Sequence, residues 1–551
     1  MKLRVQKFKK MQNGKAYFYP WIGYSYRSEK GTPTFKRLAS LSNLPEKQVE
    51  LISMALNVDG DISDSLLKVS FLEAISVGAE FTSLRFADEL GITTALECLP
   101  EKDRKLIMSM ILSRVTEPFP KSKKALFENL PGSGLERVLE LNASSLKLED
   151  MYLALDKLQP CQDTIEKYLF KRRQGGISRM FLYDITSSYF EGDSCPLEDF
   201  GYNRDGKKGK KQIVIGMLAD DEGCPVSVEV FGGETSDQST VMERIDSMRE
   251  NFNIDEMVFI GDRGMLTRAR RKDLQNKKYE KVKYISALSK QEFEQFLEDD
   301  AHPLQLSLFD REKLAEVEHE GIRYVLNFNP ELEAQNRETR RRLIEKTAEQ
   351  LEKIKRNVEK GRLKDRDKIA RKLYSWLNQW NKGHFFKVEY DTGKFNYELL
   401  EEKVKAYEAT DGFYVITSDV IGMATEEVLA KYKALQMVEQ IFRTMKSTDL
   451  FVRPIRHWNP ERVKAHVFIC MLAYMIIWKA RRILVDFLDP EDELRVSLRT
   501  IWNKLGKIQI GKIQIGETVC EQLNPLTENA RKILKAAGIS LSGRDRKKLG
   551  L

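Results

Sequence analysis

Three carboxylates stand out among the 83 Asp and Glu of this 551-residue chain because of the runs they sit in. Asp184 falls inside the apolar, β-prone run FLYDITSSYFEGD, with Thr186 two positions on. Asp262 directly follows the apolar run MVFI, in the turn-like sequence GDRG. A carboxylate in a run that otherwise reads as buried must be hydrogen-bonded, paired with a cation or bound to a metal, because an uncompensated buried charge is strongly unfavourable. If the two strands are neighbours, the aspartates repel one another. A hard divalent cation with oxygen-only ligands, Mg²⁺ or Mn²⁺, relieves that repulsion. Glu439 offers a third carboxylate. In YKALQMVEQIFRTMK, the residues Tyr432, Leu435, Glu439, Arg443 and Lys446 recur at spacings of three and four and so share one helical face. Lys446 then lies two turns, about 10 Å, beyond Glu439. A carboxylate for a metal with two cations beyond it suits a phosphodiester backbone, whose scissile phosphate meets the metal while neighbouring phosphates meet Arg and Lys.

The charge distribution agrees. Lys and Arg number 91 against 83 Asp and Glu, and the net +8 is by itself a weak lean toward a polyanionic partner. Residues 263–283, beginning with Arg263 directly after Asp262, contain nine basic and two acidic residues. A second patch, NRDGKKGKKQ at 203–212, brings Lys207, Lys208, Lys210 and Lys211 close behind the run that holds Asp184.

The elements that would position these groups follow from periodicity. Strands are predicted over 180–190, 212–219, 225–231 and 257–260, with a helix over 239–252, giving the order β-β-β-α-β. A helix is predicted from Thr425, acting as its cap, to about 447, and a long apolar one over 460–487. The chain divides into an N-terminal β hairpin (1–43), a helical domain (44–175), the first part of a core (176–290), an insertion (291–410), the second part of the core (411–490) and a tail (491–551). Within the helical domain, 69–77 and 104–115 carry apolar residues at helical spacing. The insertion holds a highly charged helix over 332–372, broken at Gly361, with Ile344, Ala348, Leu351 and Val358 as a heptad-like seam. GKIQI occurs twice in tandem at 506–515, too short for a repeat architecture.

Other classes are excluded by composition. Six cysteines are scattered without a C-x2-C pair, and the five histidines do not cluster, so neither a zinc site nor a disulfide scaffold is expected. The N-terminus has basic residues without an apolar run behind them, unlike a secretion signal. The apolar run 467–478 is too short to span a bilayer. A cytoplasmic protein, associated with the nucleoid when on DNA and without a membrane partner, is the expectation.

These residues resemble a family, the insertion-sequence DDE transposases of the superfamily with a Y-x2-R-x3-E-x6-K signature. The resemblance covers about 180–480 and rests on the D-x-T of Asp184 and Thr186, the DRG of Asp262–Gly264, Tyr432, Glu439 and Lys446 at the family's spacing, and the RPIRHW that follows at 453–458. Leu435 stands where the signature has Arg, which points to Arg443 for that DNA contact. The charged helix is a second departure, since the family's insertion is often β-rich. The resemblance implies an α/β fold with a ribonuclease-H-like, retroviral-integrase-like catalytic core interrupted by an insertion domain. It also implies Asp184, Asp262 and Glu439 as catalytic metal ligands for Mg²⁺, and Arg263, Tyr432, Arg443 and Lys446 as residues that position DNA. The implied partners are double-stranded DNA, as terminal inverted repeats and target, and a second copy of the chain. By the same resemblance the helical domain (44–175) would bind DNA ends and the tail (491–551) would serve dimerisation. The implied reaction is cut-and-paste transposition, with hairpin ends as an intermediate.

Simpler readings stand beside this one. Each aspartate could serve turn chemistry, and Glu439 with Arg443 could be an ordinary solvated i, i+4 pair. His457 and His466 read as satisfied core histidines, and the N-terminal aromatic residues as a small core. A metal-dependent nuclease of the same fold without strand transfer, or a non-catalytic DNA-binding derivative, are the alternative functions.

Overall fold

A computed structural model describes residues 2–540 apart from 13–14, 29–30, 58–68, 119, 175–178, 193, 203, 205, 208, 299–313, 378–384, 448–449, 451, 454, 488–497 and 516–517. The chain forms two compact units, one of residues 1–177, 185–235 and 439–551, the other of 178–184 and 236–438.

The first unit opens with β1 (Arg4–Gln12), β2 (Lys15–Arg27) and β3 (Pro33–Ser40) in one antiparallel sheet, a strand more than the predicted hairpin. Its inward face places Ile22 and Ala39 against Val49 and Ile52 of the helix Glu46–Asn57 and against Ile513. The N-terminal aromatic residues do not make this core, which is aliphatic.

The segment predicted as helical at 69–77 is strand β4 (Val69–Ser76). A short apolar run carries no decisive period, and here a distant strand supplies the hydrogen bonds that decide it. Beyond β4 the prediction of helices holds for Gly78–Leu90, Glu101–Thr116 and Leu148–Leu158, which pack around the helix Pro460–Ile483. That last helix is long and apolar enough to cross a bilayer, longer than the 12-residue run suggested, yet 83% of its apolar window is buried within the protein. Bidentate bonds from Arg462 to Asp156, both 2.7 Å, fasten its first turn to Leu148–Leu158.

Strand β5 (Met180–Tyr189) is shared between the units, its first half in the second and its second half in the first. In the first unit it lies beside β6 (Gln212–Asp220), which pairs antiparallel with β7 (Pro225–Phe231). The helix Asp237–Phe252 then leads to β8 (Met257–Ile260), and β9 (Val282–Ala287) follows.

The rest of the second unit adds β10 (Ala315–His319) and β11 (Ile322–Phe328) to the same sheet. The charged helix runs Pro330–Glu359 and turns at Gly361 into a second helix, Arg366–Leu377. Its seam residues Leu351 and Val358 are buried, with Ile344 and Ala348 beside them, against a hairpin of β12 (Phe386–Asp391) and β13 (Lys394–Leu399). Strand β14 (Phe413–Ser418) returns to the sheet, whose order in this unit is β10-β11-β14-β9-β8-β5. Parallel pairs β5–β8 and β8–β9 beside antiparallel β9–β14 and β11–β14 make it a large mixed sheet in a mixed α/β fold.

The helix predicted over 425–447 is two helices, Thr425–Lys433 and Leu435–Lys446, separated at Ala434. Its cap position is Ala424, and the Thr425 hydroxyl donates to Glu316 instead. Near the C-terminus the GKIQI duplication becomes β15 (Gln509–Ile515), held between β4 and β16 (Thr518–Leu523).

Candidate catalytic site

In the second unit, β5 and β8 pair in parallel with Met180 opposite Val258 and Leu182 opposite Ile260. The pairing ends there: Asp184 lies two residues further along β5, and Asp262 lies two residues past the end of β8, where the turn begins. On the other side of β8, the Gly261 N–H donates to the Ile285 carbonyl of β9 at 3.2 Å. Side chains alternate along strands, so Asp184 shares the face of β5 that carries Leu182. Beneath them on the other face, the Tyr183 and Phe259 rings pack at 5.7 Å. Burial pushes the Tyr183 hydroxyl's pKa up, opposed by Arg244.

Both aspartates are half-buried. Asp262 also shapes its turn: its Oδ1 accepts the Met265 N–H at 2.9 Å, and its carbonyl accepts from Leu266 N at 3.0 Å and from Ser286 Oγ at 3.3 Å. Turn chemistry and a site role are therefore compatible in this residue, because the turn holds the carboxylate at the strand's end.

Arg263 is exposed directly after it. Several other cations of the 263–283 cluster are engaged locally: Arg270 with Asp273 at 2.9 Å, Lys278 with Asp246 at 2.8 Å, and Arg271 with Glu292. Tyr432 is half-buried, its ring 6.4 Å from that of Tyr414, on the shorter helix before the break. The single helical face assumed from the sequence is therefore interrupted at Ala434.

In the first unit, the Lys446 Nζ donates to the Thr186 Oγ1 at 2.5 Å. This joins two motif residues 260 positions apart. Thr186 is buried on β5, and Lys446 is half-buried at the end of its helix. Glu439 and Arg443 are exposed on the same helix.

The RPIRHW segment locks this corner. Ile455 bridges in parallel to Phe190, and its carbonyl accepts the Glu191 N–H at 2.9 Å. Arg453 donates through Nε to the Lys446 carbonyl at 3.2 Å and covers the Tyr189 ring at 5.6 Å, with Lys207 over the same ring at 6.0 Å. Arg453 received no role from sequence, although it opens the RPIRHW string.

Of the remaining lysines, Lys210 bonds Glu191 at 3.0 Å and Lys211 meets the buried Glu198 at 3.6 Å, while Lys208 lies outside the described residues. His466 fits the reading of a satisfied core histidine: Nδ1 meets Lys123 Nζ at 2.7 Å and Nε2 meets the Val452 carbonyl at 3.1 Å.

Among the described residues, no group of three His, Cys, Asp or Glu side chains is placed to hold a metal ion. Asp184 and Asp262 are all-oxygen donors, a set that fits a hard divalent cation rather than zinc or copper.

Residues 177–476, more than half of the chain, match the family described as the transposase DDE domain. Among solved structures the chain is similar to a cryo-EM structure of a piggyBac transposase synaptic complex with hairpin DNA, at 9% identity over 86% of this chain and 85% of that one, with a TM-score of 0.37. No curated protein matches the chain in sequence.

Proposed function

Because the chain belongs to the transposase DDE domain family, we propose that it is a DNA transposase that moves an insertion sequence by cut and paste, cleaving element ends and joining them to target DNA. The observation that supports this most directly is that Asp184 and Asp262 each follow by two residues the last paired residues, Leu182 and Ile260, of neighbouring parallel strands inside the matched domain. On this reading the core is ribonuclease-H-like, residues 291–410 are its insertion domain, and Glu439 completes the ligand set.

The family normally uses a divalent metal, and the all-oxygen donors favour Mg²⁺, with Mn²⁺ as a substitute. When bound, a pair of such ions supplies a nucleophile of lowered pKa and neutralises charge on the leaving oxygen. The protein's own side chains do the rest. Asp184 and Asp262 fix the point at which the scissile phosphate is met. Thr186 holds the Lys446 ammonium in place, and Lys446, Arg443, Arg263 and Tyr432 orient neighbouring phosphates, with Lys207, Lys208, Lys210 and Lys211 as a second basic border. No covalent enzyme intermediate is needed. The proposed substrates are terminal inverted repeats and target duplex, handled by a homodimer that bridges two ends and passes through hairpin ends.

The test is cleavage and strand transfer on element ends by Asp184→Ala, Asp262→Ala and Glu439→Ala. Each variant is expected to bind ends and to cut none. Normal cutting by any one removes that residue from the site. Cleavage by the wild type without joining of pre-cleaved ends would replace this reading with a nuclease, and binding without cleavage would replace it with a DNA-binding derivative.

A further inference from the structure

Besides the basic run after Asp262, the N-terminal segment carries a concentration of positive charge. Residues 1–40 hold ten Lys and Arg against one acidic residue, Glu29, while the other 511 residues hold 81 basic and 82 acidic. The N-terminal sheet buries its aliphatic face, on whose side Lys7, Lys9 and Lys36 fall by register, with Lys7 paired to Glu46 at 3.3 Å, while Arg4, Lys10, Arg27 and Arg37 fall on the other face.

On that outer face the register places Arg4, Gln6 and Phe8 of β1 beside Gly23, Trp21 and Tyr19 of β2. Between Ile22 and Gly23 the pairing to β3 moves from Ala39 to Arg37, so Leu38 is an extra residue. This bulge turns Arg37 outward although Ala39, two positions on, points inward. The Arg37 guanidinium lies 3.9 Å from the Phe8 ring centre and 5.4 Å from that of Trp21. Arg4 covers Phe35 at 5.6 Å, and the Phe8 and Phe35 rings are 5.8 Å apart.

Gly23 makes this layer possible. A Cβ there would stand 2.7 Å from two carbons of the Phe35 ring and 2.1 Å from the Lys36 carbonyl oxygen. The rings are half-buried while Arg4 and Arg37 are exposed, and no carboxylate occurs among the described residues of this face. The side-chain carbonyl oxygen of Gln6 is buried beneath this layer without a hydrogen-bond partner.

We propose that this face of β1–β3 is a docking platform for single-stranded DNA. Charge complementarity selects a polyanion. Aromatic rings interleaved with guanidinium groups select one whose bases are unpaired, because a duplex conceals the π-faces that stack. Arg4 and Arg37 meet phosphates, and the rings of Phe8, Trp21 and Phe35 take bases. The proposal does not rest on the catalytic reading, since it needs neither metal nor cleavage.

The test is fluorescence anisotropy of the full chain in EDTA with a labelled 30-nucleotide single strand and with its duplex, at several salt concentrations. Phe8→Ala and Trp21→Ala are each expected to weaken single-strand binding about tenfold, the scale of one stacked base, and to leave duplex binding within about twofold. Arg37→Gln, a change at an exposed side chain, is expected to weaken single-strand binding and lower its salt slope by about one. Phe18→Ala, on the opposite face and 59% exposed, serves as the control and leaves both unchanged. Single-strand affinity unaltered in Phe8→Ala and Arg37→Gln overturns the proposal, as does an equal loss on the duplex, which would make the face a duplex contact. Loss of cleavage in the aspartate variants with this pattern intact would bear on catalysis alone.

Discussion

Asp184 and Asp262 are 78 positions apart, and the same 78 separates each pair that β5 and β8 form, from Met180 with Val258 to Leu182 with Ile260. The two carboxylates thus stand the same two residues beyond the last pair, Leu182 with Ile260. An insertion or deletion between them must be absorbed in the segments between β5 and β8, since a one-residue slip in β8 would turn its side chains to the opposite face.

Two carboxylates so placed repel when both are ionised. Asp184→Asn is expected to raise the stability of the protein in EDTA by about 1 kcal/mol. Mg²⁺ is expected to raise the melting temperature of the wild type more than that of the variant. Calorimetry with and without Mg²⁺ checks both, and a less stable variant in EDTA would mean that the carboxylates do not repel.

The bond from Lys446 to Thr186 is open to a near-isosteric test. Thr186→Val removes the acceptor, and end cleavage is expected to fall about tenfold, the scale of one lost hydrogen bond. DNA binding should stay within about twofold, and Thr186→Ser should restore most of the rate. Unaltered cleavage by Thr186→Val would separate this pair from the reaction.

Glu80, in the first turn of Gly78–Leu90, has its pKa pushed up to about 7 by burial, with Glu117 adding to the rise and a backbone bond opposing it. The folded chain keeps this proton to higher pH than the unfolded chain, so the group's contribution is most favourable below pH 4.5 and is lost as pH rises through 7. The change amounts to about 3 kcal/mol at 1.36 kcal/mol per pKa unit. Urea unfolding of Glu80→Gln between pH 4.5 and 8 is expected to lose this decline, and an unchanged slope would refute it.

His457 behaves oppositely. Burial, then the charges of Lys123, Arg462 and Arg114, push its pKa down to about 3. The unfolded chain takes up the proton first, so stability is fully present above pH 6.5 and falls toward pH 3 at about 1.4 kcal/mol per pH unit. His466, lowered for the same reasons, adds to the decline. His457→Gln is expected to shallow the acid limb of the stability curve by about one proton, and a curve superimposable on the wild type would exclude it. Glu80 and His457 oppose each other between about pH 4.5 and 6.5, which is why the two variants must be read singly.

The amino-acid sequence by itself determined the strands around Asp184 and Asp262, including the Met257–Ile260 boundaries, and the buried seam of Pro330–Glu359. These are features of alternation and heptad spacing, which a chain states locally. Tertiary structure decided that 69–76 is a strand, because its partner Gln509–Ile515 lies more than 400 residues later. It likewise decided that Lys446 reaches Thr186, that Arg453 covers Tyr189, and that Phe8, Trp21 and Phe35 face away from the N-terminal core. Hydrogen-bond partners and the covered face of a sheet depend on what lies opposite, and no local window contains the opposite strand.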